Sequence, residues 1–127
     1  MYRILLADDE GIAIDSLTYI IEKTYGDKCE IRSARTGRSV IEIAENFRPD
    51  IAVMDIQMPG INGIEAIREI RKFSPTTVYI VLTAYDKFDY AKEAIDLGVL
   101  NYLSKPIDRD IFVDAMNGAI SRIESER

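Results

Sequence analysis

Histidine is absent from the 127 residues, which removes the commonest general base and nitrogen ligand and leaves carboxylates, hydroxyls and lysines to carry any chemistry. Cysteine occurs once, at Cys29, so no disulfide framework forms within the chain, and in an apolar strand this thiol reads as buried and inert. No apolar run approaches the ~20 residues of a membrane span. The short apolar stretch after Met1, Tyr2 and Arg3 does not make a secretion signal, so a cytoplasmic location with no membrane contact is expected. Basic residues are also in deficit: 16 Lys and Arg against 22 Asp and Glu give a net charge of -6. That balance repels a phosphate backbone and argues against nucleic-acid binding by this segment. Internal repeats, low-complexity tracts and linkers are missing too, so residues 1–127 read as one domain. A hydrophobic content of 47% is enough for its core.

What is present is an alternation of two periodicities. Residues 3–7, 29–34, 50–54, 77–82 and 100–103 read as strands. Between and after them lie helically spaced apolar positions, such as Ile64, Ile67 and Ile70, or Ile111, Ala115, Ala119 and Ile123. Asn62 with Glu65, and Asp86 with Asp89, are placed to cap two helix starts, while Pro75 and Gly98 fit helix ends. The first, third and fourth strands are almost wholly apolar, as strands buried on both faces of a parallel sheet are. The expected fold class is α/β, a doubly wound five-stranded parallel sheet flanked by five helices.

In such a sheet, ligands gather where strand carboxyl ends lead into helices. Those ends carry Asp8-Asp9-Glu10, then Asp55-Ile56-Gln57-Met58-Pro59-Gly60, then Thr83-Ala84, then Ser104-Lys105-Pro106. Crowded carboxylates repel one another unless a cation shares the site. An all-oxygen set suits a hard ion such as Mg²⁺, with Mn²⁺ able to substitute. A carboxylate beside such an ion is a competent nucleophile toward phosphorus, and Lys105 is placed to stabilise charge on the transferred group. Each residue alone also has a plain structural reading. Asp8 and Asp9 fit as helix caps, Asp55 as a turn former, Thr83 as a β-former and Lys105 as a surface charge. Their joint placement at strand ends is what makes the functional reading strong.

Across essentially its whole length the chain resembles the receiver domain of bacterial response regulators. The resemblance rests on Asp8-Asp9, on Asp55 within Val53-Met54-Asp55-Ile56-Gln57-Met58-Pro59-Gly60-Ile61-Asn62-Gly63, and on Thr83-Ala84, Tyr102 and Lys105-Pro106. It implies the flavodoxin-like, receiver-type strand order 2-1-3-4-5 and a cis bond between Lys105 and Pro106. It implies Asp55 as phospho-acceptor, with Asp9, Asp55 and the Gln57 backbone carbonyl as direct metal ligands and Asp8 acting through water. Thr83 and Tyr102 would be the switch residues, and Tyr85 would obstruct hydrolytic water. By the same resemblance the chain is an acceptor rather than an enzyme, charged by a sensor histidine kinase. Its fourth-helix, fifth-strand, fifth-helix face would change on phosphorylation and would be the face of any homodimer. The stretch from Ala84 to Ala94 is similar to receivers joined to a helix-turn-helix DNA-binding output domain, which would make this the N-terminal part of a longer regulator.

Three rival readings stand beside this one. A haloacid-dehalogenase phosphatase needs a second aspartate where Gln57 stands. A flavodoxin-like carrier needs a phosphate-cradling first loop, and Asp8-Asp9-Glu10 repels phosphate. The third is a receiver fold serving as a constitutive interaction module that is never phosphorylated.

Overall fold

The computed structural model describes residues 1–84 and 88–127, with the backbone only at Phe88 and Asp89. The Asp86–Asp89 cap and Tyr85 lie outside the described residues. The order is β1 (Tyr2–Ala7), α1 (Gly11–Tyr25), β2 (Cys29–Ala34), α2 (Gly37–Phe47), β3 (Ile51–Asp55), α3 (Gly63–Arg71), β4 (Val78–Thr83), α4 (Phe88–Asp96), β5 (Asn101–Ser104) and α5 (Arg109–Ser125), with a 3₁₀ turn at Gly26–Lys28. All four strand pairings are parallel and the sheet order is β2-β1-β3-β4-β5. The doubly wound α/β architecture expected from the sequence is therefore the one formed.

Strand alternation sorts the core onto two faces. Leu5, Ala52, Met54, Tyr79 and Val81 pack with Val40, Ala44, Ile64, Ile67, Ile70 and Ala94 of α2, α3 and α4. Ile4, Leu6, Val53, Ile80 and Leu82 pack with Ile14, Leu17 and Ile21 of α1 and with Phe112, Met116 and Ala119 of α5. A fully buried Ile or Leu of this kind contributes about 1.5–3 kcal/mol. On α5 the apolar seam differs from the spacing read in the sequence: Ile111 is exposed, and Phe112 and Met116 are buried with Ala115, Ala119 and Ile123. The larger ring of Phe112 takes the core position, while the Ile111 amide donates to the Asp108 carboxylate that caps the helix at 3.0 Å.

Several strands sit one residue later than their apolar runs. Asp55 pairs with Leu82 in register and Thr83 with Ser104, so these polar residues belong to the ladder. Asp50 and Thr77 lie outside it and are used elsewhere. Asp50 accepts from the Arg3 amide at 2.8 Å, and the Thr77 hydroxyl donates to the Pro49 carbonyl at 2.7 Å. Apolarity marks burial, whereas the strand is defined by backbone pairing.

The Asn62 side chain caps α3 by accepting from the Glu65 amide at 2.9 Å, as its spacing predicts. Gly98, at φ 74°, ends α4, with its own amide bonded to Ile95 and that of Val99 to Ala94. Gly63 is required for closeness rather than for φ. A Cβ there would lie 2.4 Å from the Asp55 carbonyl oxygen and 3.0 Å from the Ile56 Cα, and both neighbours are backbone. Gly63→Ala is expected to destabilise the protein by about 1–3 kcal/mol, the usual cost of forced overpacking. Urea unfolding checks this, and an unchanged midpoint would mean the loop yields freely.

Candidate functional site

The polar strand ends converge as the topology requires. β1 and β3 are neighbours at the centre of the sheet, so the residues that follow Ala7 and Met54 emerge side by side. Carboxylate oxygens of Asp8, Asp9 and Asp55 all lie within 4.8 Å of one another. Asp8 and Asp55 are almost fully buried, at 1% and 2% exposure, while Asp9 is the more open member. Burial at this level forces each charge to find a partner. Lys105, delivered by the end of β5, supplies one: its Nζ lies 2.7 Å from Asp8 Oδ2, 3.2 Å from Asp55 Oδ2 and 3.6 Å from Glu10 Oε1. The Lys105–Pro106 peptide is cis. Backbone amides hold the remaining oxygens, Glu10 donating to Asp8 Oδ1 at 2.9 Å and Gln57 to Asp55 Oδ1 at 3.2 Å.

One ammonium does not balance this much negative charge. Burial, then the neighbouring Asp8 charge, push the Asp55 carboxyl up to about 6, against the lowering effects of the Gln57 amide and Lys105. Burial pulls the Lys105 ammonium down, but its hydrogen bond to Asp8 and the charges of Asp55 and Asp8 outweigh this and leave it raised. A divalent cation resolves the excess, and the donor set of buried and half-open carboxylates fits Mg²⁺. Asp8, Asp9 and Asp55 are the side chains that could hold it.

The sign of the pH dependence follows. Asp55 prefers its proton in the folded, metal-free protein, so between pH 3.8 and about 6 the folded state binds more protons than the unfolded one. Its contribution to stability is therefore lost as pH rises through that window, and a cation must displace the proton below it. Apparent Mg²⁺ affinity is expected to be about tenfold weaker at pH 5 than at pH 7, one pH unit below the carboxyl being worth a factor of ten. Calorimetric titration at the two pH values checks this, and equal affinities would rule it out.

The other residues singled out in the sequence fall around this cluster. Thr83 closes β4 next to Leu82, the register partner of Asp55, and is fully buried. Its carbonyl accepts from the Lys105 amide at 2.7 Å. Tyr102 is half-buried and lies opposite Val81, on the same sheet face as Thr83 but two residues short of the strand end. It packs against the α2, α3 and α4 core rather than joining the carboxylates. Gln57 enters through its backbone amide and also lines a shallow cavity of about 290 Å³ with Asp9, Ile56, Met58, Asn62 and Tyr90. Two residues given no role in the sequence reading also touch the site: Glu10, through Lys105, and Arg35, whose guanidinium bonds the Asp9 carbonyl. Arg35 directly follows β2.

Comparison with known proteins agrees with this geometry. Residues 4–117 match the family model described as the response regulator receiver domain. The chain is 36% identical over 126 residues to the transcriptional regulatory protein YesN of Bacillus subtilis, an alignment covering 99% of this chain and 34% of that protein. It is 33% identical over 110 residues to the sensory transduction protein LytT of the same organism, covering 87% and 44%. The chain thus spans about a third to under half of the length of these two relatives. Among solved structures it is similar to the receiver domain of AraT, a response regulator from Geobacillus stearothermophilus, with 31% identity and a TM-score of 0.88 over 98% of this chain and 97% of that one. A CheY-like receiver domain from Methanospirillum hungatei has a TM-score of 0.92, over 100% and 99%, at 24% identity, a likeness of fold.

Proposed function

This chain belongs to the response regulator receiver domain family, and from that membership we propose that it accepts a phosphoryl group on Asp55 from a sensor histidine kinase. It is a receiver domain of two-component signal transduction, related to transcriptional regulators and sensory transduction proteins. The observation that carries the proposal is the meeting of three carboxylates with one ammonium at the strand ends. A constitutive interaction module would have no need of that arrangement.

In this reading an Asp55 carboxylate oxygen forms the new bond to phosphorus as the donor's bond to phosphorus breaks. In the metal-free site burial and the Asp8 charge push the Asp55 carboxyl up to about 6, so it is largely ionised at neutral pH and available as a nucleophile. Asp8, Asp9, Asp55 and the Gln57 carbonyl would hold Mg²⁺, or Mn²⁺ in its place. The bound ion supplies charge neutralisation and Lewis acidity toward phosphoryl oxygens. Lys105 offers its ammonium to the same oxygens. The chain acts as acceptor and switch rather than as an enzyme on an external substrate. Its net charge of -6 keeps nucleic acid away from this domain, so contact with DNA falls to a C-terminal output domain of the longer regulator. Among the described residues no helix is long and apolar enough to cross a membrane, which supports a cytoplasmic site of action. The test is intact-mass measurement after incubation with a small acyl phosphate, where one phosphoryl gain that depends on Mg²⁺ is expected. No gain under either condition would favour the constitutive module.

The output surface would be α4, β5 and α5, which is also the face of any homodimer. Phosphorylation places new acceptor oxygens near Thr83 and Lys105. Movement of the buried Thr83 toward them would open space on the sheet face that it shares with Tyr102. Thr83→Ala is expected to keep phosphorylation at Asp55 but to lose most of the resulting change at Tyr102, since a ligand shifts a two-state element only through its differential affinity. NMR of Tyr102 and the α4 amides with the phosphoryl mimic beryllofluoride decides it. Equal perturbation in wild type and variant would end the coupling argument.

A further inference from the structure

The peptide unit joining Asp9 to Glu10 is held at both poles. Its carbonyl oxygen accepts from Arg35 Nη2 at 2.8 Å and from Nε at 3.2 Å. Its N–H, that of Glu10, donates to Asp8 Oδ1 at 2.9 Å. The reach of Arg35 comes from strand register: β1 and β2 stay paired through Ala7 and Ala34, and the Asp8 amide then bonds the Ala34 carbonyl at 3.2 Å. Arg35, the residue that follows β2, is therefore set down beside the acidic loop. We propose that Arg35 is a positioning residue, fixing the Asp9–Glu10 peptide and through it the direction in which the Asp9 carboxylate meets a divalent cation. This deepens the metal reading above and rests on it.

Two simpler accounts of Arg35 predict other things. As a helix-stabilising charge it would be misplaced, because the guanidinium lies 3.7 Å from a Cβ built on Gly11, the first residue of α1, where the helix dipole disfavours a cation. As a mere nearby charge it would repel Mg²⁺, so its removal would tighten binding. Positioning has the opposite sign. Asp9 is the most open of the three carboxylates and depends most on its backbone for direction.

The experiment is calorimetric titration of Mg²⁺ into metal-free wild type, Arg35→Ala and Arg35→Gln, with hydrogen exchange at the Glu10 amide followed by NMR in EDTA. Glutamine keeps a donor where the Arg35 Nε lies, without the charge. Arg35→Ala is expected to bind Mg²⁺ about tenfold more weakly, the usual scale for losing a group that orients a metal ligand. Arg35→Gln should return to within about twofold of wild type or bind more tightly, by the same reasoning. Glu10 exchange should quicken in the alanine variant and recover in the glutamine variant. Equal or tighter binding in Arg35→Ala, or no recovery in Arg35→Gln, overturns the proposal. Wild type that binds no Mg²⁺ overturns the metal reading instead, and the metal-free exchange data then still report whether Arg35 holds the peptide.

Discussion

Asp55→Asn is expected to show no phosphoryl gain by intact mass under conditions where wild type gains one. The competing acceptors are the other carboxylates of the cluster. Asp8 is buried with both oxygens engaged, one by the Glu10 amide and one by Lys105 at 2.7 Å, so attack from it would break its shortest ion pair. Asp9 sits at the open rim. Asp55 lies between them and the end of β4, is pushed up to about 6, and has its longer contact, 3.2 Å, to Lys105. It is therefore the less tightly held of the buried pair. Asparagine is nearly isosteric and removes one of two facing charges, so the metal-free variant should be at least as stable as wild type at pH 7, by about 1 kcal/mol. A lost phosphoryl gain then reports chemistry rather than unfolding. A gain that persists in Asp55→Asn would move the acceptor to Asp8 or Asp9 and sink the assignment.

Much of this was legible because the fold and the acidic cluster come from one pattern. Apolar runs such as Ile4–Ala7 and Val78–Leu82 sit in strands buried on both faces, and the polar residues that stop those runs are the ones the topology brings together. Strand order and the cis Lys105–Pro106 bond came from family resemblance, and no spacing in the sequence yields either. Apolarity places the ends of β3, β4 and β5 one residue early for a physical reason: Asp55, Thr83 and Ser104 are polar yet paired, so hydrophobicity stops short of the ladder. Spacing places Ile111 in the α5 seam whereas Phe112 fills the core, because residues one apart near a helix start compete for the same face. Arg35 was not legible at all as a site residue. Its role is a backbone contact, and a carbonyl oxygen leaves no mark on the sequence.

Lys105→Met is expected to lower the stability of the metal-free protein by about 3 kcal/mol at pH 7, the scale seen when one partner of a buried ion pair is removed. The Lys105 side chain is itself only 15% exposed and faces two carboxylates that are nearly sealed from solvent. Methionine keeps most of the stem's packing, so the loss isolates the charge. Without it, Asp8 and Asp55 retain, among the described residues, the Glu10 and Gln57 amides, and their mutual repulsion pushes Asp55 further up. Protonation of Asp55 then relieves part of the penalty, so the difference from wild type should shrink as pH falls from 7 toward about 6 and hold level below it. Mg²⁺ works in the same direction as the lost ammonium. It should therefore protect Lys105→Met more than it protects wild type, and bind the variant more tightly, even though the variant has lost a group placed to stabilise the transferred phosphoryl. Thermal unfolding in EDTA and in Mg²⁺, run at pH 5 and pH 7, separates these effects. Equal midpoints in EDTA at pH 7, or equal Mg²⁺ protection of both proteins, would show that Lys105 does not carry the charge balance of the site.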